Sequence, residues 1–346
     1  MSFASRKNRK YSSSRNSRRR ALRGLAGLAL APIAGPMLGF TAHEARAQAQ
    51  IQPIRFGLQN TFTGAAAVVW ARQKIYERRG LKVEAFKFAD GRGVRDAMLA
   101  GKVDFGTMNL TPFFVGSSAG NFTLIAFVLL GGDTVGVAAR KGIEKISDLK
   151  GKNVSITVGS TTGPVFVHQV GPRLGLKEGE YRIVNLQPAD QPAALAAGSV
   201  DAYAGPEPYL TITERSGIGK VLIRFGPYDA NPTCLVVNTS FLNKHPETVL
   251  AFLRSWLDGV EYWGKNREGV VEALLGMYRE GGHDLQPELV AQMASLPKVV
   301  PDITPELIEY MKGQAGILHK AGQLKNLPEW DKVIRPDLLE KARAMA

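Results

Sequence analysis

One phrase occurs twice in this chain and narrows the folds open to it. Ala97-Met-Leu-Ala-Gly101-Lys-Val-Asp104-Phe-Gly106 returns, offset by 97 positions, as Ala194-Leu-Ala-Ala-Gly198-Ser-Val-Asp201-Ala-Tyr-Ala-Gly205. Each copy reads as the last turn of a small-residue helix, a glycine stop and a short buried strand. A glycine just past a helix end closes the terminal carbonyls in the left-handed conformation, and an apolar run bounded by a further glycine is a strand signal. Two copies, each with its own loop and helix start, predict two similar α/β lobes.

The flanking segments fit that grammar. Ile54–Leu58, Leu81–Phe88, Val103–Thr107, Phe122–Leu130 and Thr134–Ala139 alternate or run apolar as strands, with helices between them. A second unit follows with strands at Val154–Val158, Tyr181–Leu186, Val200–Ala204 and Lys220–Phe225, and Thr233–Asn238 is expected to rejoin the first sheet. Strands alternating with helices at this spacing predict mostly parallel sheets. The last hundred residues are helical by pattern, including an apolar stripe from Val249 to Trp263 and a Thr304-Pro305 helix start.

Charge bears on partners. The formal net charge is +13, but residues 1–47 hold ten basic residues against one acid, Glu44. That leaves about +4 on the rest and argues against nucleic acid as a partner. Ser17-Arg18-Arg19-Arg20-Ala21-Leu22-Arg23 looks like a twin-arginine export motif ahead of a weakly apolar stretch, and Ala45-Arg46-Ala47 places cleavage before Gln48. The expected location is therefore the periplasm. Cys234 is the only cysteine and the five histidines are scattered, so no metal or other cofactor is expected.

In open parallel sheets, ligands bind beyond the carboxyl ends of the strands. In the first lobe that rule selects Thr61, Phe62, Thr63, Asn109 and Thr111, and in the second Ser160, Thr161, Asp190 and Glu207. Most are hydroxyl or amide residues beside helix starts, where free backbone N–H groups favour an oxygen ligand. Glu207, between two prolines, suits either an amine or hydroxyl donor on a ligand or a hinge-spanning hydrogen bond. No catalytic motif stands in working form. Gly116-Ser117-Ser118-Ala119-Gly120 spells a nucleophile elbow but has a helix before it and a strand after it, the reverse of what that chemistry needs.

Ser147-Asp-Leu-Lys-Gly-Lys-Asn-Val154, the Gly159-Ser160-Thr161 loop, Leu186-Gln-Pro-Ala-Asp190 and Pro206-Glu207-Pro208-Tyr209 carry a resemblance. From about Ile54 to Phe225 the chain resembles the periplasmic substrate-binding proteins of ABC importers, in the nitrate/sulfonate/taurine branch. The resemblance implies a two-lobed type II periplasmic-binding-protein fold with a two-strand hinge and C-terminal helices. Lobe 1 would comprise 48–141 and 231–346, and lobe 2 would comprise 142–230. It implies a monomer that captures a small molecule between the lobes and docks on a membrane permease. It also implies that Thr61, Thr63, Asn109, Thr111, Ser160, Thr161 and Asp190 line the cleft, with Glu207 at its rim. No arginine stands in these loops, so a neutral or zwitterionic ligand is open beside a sulfonate, a nitrate or a related small nitrogen or aromatic compound. The alternatives are an enzyme related to the pyrimidine synthases of thiamin biosynthesis, disfavoured by the lone cysteine and the leader, and a ligand-sensing module for a membrane receptor.

Overall fold

A computed structural model describes residues 51–345; the export motif and its cleavage site lie outside them. Among the described residues, ten strands form two five-stranded sheets. The first contains β1 (Ile54–Gln59), β2 (Val83–Phe88), β3 (Phe105–Asn109), β4 (Phe122–Leu130) and β10 (Pro232–Asn238), in the order β2-β1-β3-β10-β4. The second contains β5 (Val135–Arg140), β6 (Asn153–Ile156), β7 (Arg182–Asn185), β8 (Ala202–Pro206) and β9 (Gly219–Arg224), in the order β7-β6-β8-β5-β9. Each sheet is parallel except for one reversed strand, β10 in the first and β5 in the second. In both cases the reversed strand is the one by which the chain arrives from the other sheet.

The lobe boundary expected at 141/142 is corrected by this pairing. β5 bonds to β8 and β9, so the chain leaves the first sheet at residues 131–134. The apolar run of β5 is equally suited to either sheet, and nothing in the run itself names its partner. The helical stretch between β1 and β2 is interrupted: helix Ala65–Arg72 ends, Lys74 turns left-handed, and a 3-10 turn follows over Ile75–Arg79.

The repeated phrase does the same structural work twice. Gly101 and Gly198, with φ of 66° and 71°, end helices Gly91–Leu99 and Gln191–Ala196. The Asp104 carboxylate accepts from the Arg55 N–H of β1, and the Asp201 carboxylate from the Asn153 N–H of β6. Each aspartate N–H donates back to the carbonyl of that same residue, at 2.8 Å in both copies. Each aspartate carbonyl then accepts from the end of the reversed strand, Asn238 in one lobe and Arg140 in the other. Arg55 and Arg140 complete the pair as ion partners of Asp104 and Asp201. The aspartates thus pin three strands together at the end of each sheet remote from the cleft.

Both faces of the first sheet are covered around β4 and β10, which is why these two strands read as apolar runs. On one face Phe252 of helix Pro246–Lys265 stacks on Phe105 at 4.2 Å and meets Phe56 and Trp70 edge-on or tilted. The Trp70 indole N–H donates to Ser255 at 3.0 Å, so the wide ring is buried with its polar atom satisfied. On the other face Val94, Met98, Phe113, Phe122 and Phe127 pack with Met311 and Leu318 of helix Pro305–Lys320. The C-terminal helices therefore belong to the core of the first lobe.

Candidate functional site

The carboxyl ends of β1, β3, β6 and β8 meet at one cavity between the sheets. Gln59, Thr61, Thr63 and Asn109 border it from the first lobe, and Thr157, Ser160 and Thr161 from the second. Its volume is about 30 Å³. A space of that size admits about two water molecules. Among the described residues bordering the cavity, Asp90 is the one formal charge. Its carboxylate caps helix Gly91–Leu99 through the Arg92 and Gly93 N–H groups and is held by the Arg92 guanidinium at 2.9 and 3.1 Å. The cavity wall is therefore neutral in effect, made of hydroxyl and amide groups.

Behind that wall runs an ordered chain of hydrogen bonds. Thr233 Oγ1 on β10 donates to the Thr63 carbonyl at 2.8 Å and accepts from Asn109 Nδ2 at 3.1 Å. Asn109 Oδ1 accepts from Gln59 Nε2 at 3.0 Å, and the same nitrogen reaches Thr63 Oγ1 at 3.2 Å. Thr63 Oγ1 and Thr61 Oγ1 lie 2.9 Å apart and share one proton.

Several bonds cross between the lobes and hold them closed. The Thr111 N–H donates to Thr161 Oγ1 at 2.9 Å, with both residues buried. Arg92 Nη1 donates to the Val158 carbonyl at 2.5 Å. The amides of Gln169 and Gln314 bond reciprocally at 2.6 and 3.1 Å, tying helix Pro305–Lys320 to the second lobe. The Phe62 N–H reaches the Glu207 carbonyl at 3.4 Å.

The residues selected from sequence divide into two groups. Thr61, Thr63, Asn109, Ser160 and Thr161 border the cavity. Thr111 stands beside it and contributes its backbone N–H to the lobe contact. It lies inside helix Leu110–Ser117, whose N-cap is Asn109, two residues earlier. Phe62 is fully buried in the first-lobe core and forms no cavity wall. Asp190 is exposed and its side chain caps nothing; its neighbour Gln191 turns inward, bonding Ser155 and the Ala204 carbonyl.

Glu207 is corrected as well. It is completely buried, its carboxylate accepting from Arg224 at 2.6 Å and from the Thr211 N–H at 3.1 Å. A carboxylate so engaged holds β9 and helix Tyr209–Arg215 in place and does not border the cavity. Gln59 and Thr157 escaped the sequence reading. Gln59 is the last residue of β1, and the carboxyl-end rule finds it once the strand is read to its true end.

Comparisons with known proteins agree with the fold. The chain is 29% identical over 269 residues to the taurine-binding periplasmic protein of Escherichia coli (strain K12), covering 76% of this chain and 78% of that one. It is also 29% identical over 214 residues to a protein of Bacillus subtilis (strain 168) named for binding aliphatic sulfonates, covering 59% of this chain and 63% of that protein, just under two thirds of its length. The structure resembles the alkanesulfonate-binding protein SsuA from Xanthomonas axonopodis pv. citri bound to MOPS, with a TM-score of 0.72 at 19% identity over 82% of this chain and 97% of that one. The desulfurization enzyme DSZB shares the fold at a TM-score of 0.64 and 13% identity, over 85% of this chain and 99% of that one. Residues 47–274 match one family across more than half of the sequence, and the chain belongs to that family, the NMT1-like family.

Proposed function

We propose that this protein is the periplasmic solute-binding component of an ABC importer, which captures a small organic solute between its lobes and presents it to a membrane permease. The observation that carries this reading is the cavity bordered from both sheets by neutral hydroxyl and amide groups, with direct bonds from lobe to lobe around it. Two crossing segments join the sheets, so the lobes can part and close about them as in other hinged binding proteins. The names of the relatives favour a sulfonate- or taurine-like solute. The leader read from the sequence supports export by the twin-arginine route, and the protein would act as a monomer.

A non-catalytic role fits the side chains. The Cys234 thiol lies fully buried in the middle of β10, and burial pushes its pKa far up, so it is no nucleophile. Ser117 of the elbow-like phrase is 1% exposed, and its hydroxyl donates to the Phe114 carbonyl. Among the described residues bordering the cavity there is no histidine or lysine to activate a hydroxyl. The reading is tested by thermal-shift screening of the purified protein against sulfonates, aminosulfonates, nitrate, pyrimidines and aromatic acids. A ligand should raise the melting temperature in a concentration-dependent way by mass action. A flat response across the panel refutes the proposal.

A further inference from the structure

The hydrogen-bond chain behind the cavity has a direction, and the direction ends on an unused group. The Thr63 carbonyl can only accept, so the single proton of Thr233 Oγ1 is committed to it. Thr233 must then accept from Asn109, which fixes the amide nitrogen of Asn109 on that side; the Pro232 carbonyl at 3.4 Å from the same nitrogen agrees. Asn109 Oδ1 consequently faces Gln59 and can only accept, so Gln59 turns its NH2 group toward it. Both protons of that group are then engaged, by Asn109 and by Thr63. Gln59 Oε1 is left over. Gln59 is 3% exposed and borders the cavity, and its Oε1 is buried without a hydrogen-bond partner.

An amide that could flip would relieve such an orphan by exchanging its oxygen and nitrogen. Here every link upstream forbids the exchange, because a flipped Gln59 would set its oxygen against Asn109 Oδ1. A buried acceptor without a partner is unfavourable and is rare in folded proteins. The Thr61–Thr63 pair adds the complementary group. Its two hydroxyls carry two protons, one is shared between them, and the other is available to an acceptor.

We infer that Gln59 Oε1 is the specificity-determining acceptor of the cleft, and that the solute presents an N–H or O–H to it. An acceptor elsewhere on the solute takes the free threonine proton. This inference rests on the binding reading above and narrows it: a head group that only accepts hydrogen bonds leaves Gln59 unsatisfied, whereas an amine, amide or hydroxyl satisfies it.

The test uses charge-matched probes that differ in a donor, isethionate against ethanesulfonate and sulfanilate against benzenesulfonate, with taurine as a further donor whose ammonium also adds a positive charge. Dissociation constants are measured by calorimetry on the wild-type protein and on Gln59→Leu. In the wild type the donor-bearing member of a pair should bind at least about tenfold tighter, the effect of leaving one buried polar group unpaired. In Gln59→Leu that preference should fall to within about twofold. Equal binding of donor and donor-free partners by the wild type overturns this inference and leaves the binding reading intact. So does a wild-type preference that persists in Gln59→Leu. If that variant fails to fold, the wild-type ratio decides alone. No binding by any probe and a flat thermal-shift panel together remove the binding reading, and this inference with it.

Discussion

Thr161→Val isolates one bond on which lobe closure depends. The Thr111 N–H lies in the first turn of helix Leu110–Ser117, where no carbonyl of its own helix can reach it. Its partner is Thr161 Oγ1 at 2.9 Å, across the cleft, and each of the two residues is 7% exposed. Valine keeps the shape of threonine and removes the acceptor. In the closed form the N–H is then orphaned, at a cost of about 1–2 kcal/mol, the lower part of the usual range because the neighbouring cavity can admit a water. In the open form bulk water satisfies it at no cost. The closing equilibrium therefore shifts against the closed form by about 5- to 30-fold. The apparent dissociation constant for any solute that needs closure weakens by the same factor. Calorimetry with the ligand found by thermal-shift screening measures this, alongside urea unfolding without ligand. Thr161→Ser, which retains the oxygen, should bind like the wild type. A Thr161→Val protein that binds within twofold of the wild type, or that loses more than about 1 kcal/mol of unliganded stability, refutes the assignment of this bond to closure.

Three other outcomes are expected. Glu207→Gln removes a fully buried carboxylate and leaves the half-buried Arg224 without its ionic partner, so urea unfolding should show a loss of about 1–3 kcal/mol, with ligand selectivity unchanged. A Cβ on Gly116 would lie 1.9 Å from the Phe122 ring, so Gly116→Ala should cost about 1–3 kcal/mol by overpacking, whereas Ser117→Ala should leave ligand binding as it is. The Asp337 carboxylate is held down to about 2 from 3.8, first by its hydrogen bonds from Arg335 and further by Lys341. A depressed folded pKa stabilises the native state above the unfolded value, and the benefit is lost as pH falls from 3.8 toward 2. The side chain is 43% exposed, so solvent screening limits the effect to about 1 kcal/mol or less. Unfolding curves of wild type and Asp337→Asn should differ by that amount at pH 6 and converge near pH 2.

The sequence made the order of strands and helices legible because their signals are local. An apolar run, a glycine with positive φ at Gly101 or Gly198, and a Thr-Pro start each act over a few residues. The partner of a strand is not local, and β5 was placed in the wrong sheet for that reason. The site divided along the same line. Thr61, Thr63, Asn109, Ser160 and Thr161 were found because they follow strand ends, a position that can be counted. Asp190 was chosen over Gln191 although one residue of phase on a helix start decides which side chain turns inward. Glu207 was left open between ligand and hinge because its partner, Arg224, lies on another strand. Gln59 was lost by starting the loop one residue late. The absence of arginine from the cleft loops was visible, and its structural counterpart is Arg92, which spans the mouth of the cleft while Asp90 balances its charge.

The exchange of β5 and β10 between the sheets sets an order on how the chain can be assembled. The second sheet is built from one continuous stretch, β5 to β9, so all its pairings are available as soon as that stretch exists. The first sheet is different, because β3 and β4 never touch by hydrogen bonds and are joined only through β10. The contact between Asn109 and Thr233 closes a loop of 124 residues, and long closures of this kind are slow. Until β10 arrives, β4 is a nine-residue apolar strand with no hydrogen-bonded neighbour in its sheet, the type of surface that aggregates in partly folded chains. The bond network that fixes Gln59 is completed by Thr233 of β10. The last strand to be placed is thus also the one that sets the polarity of the cleft, and a chain halted before it has neither a finished core nor a selective site.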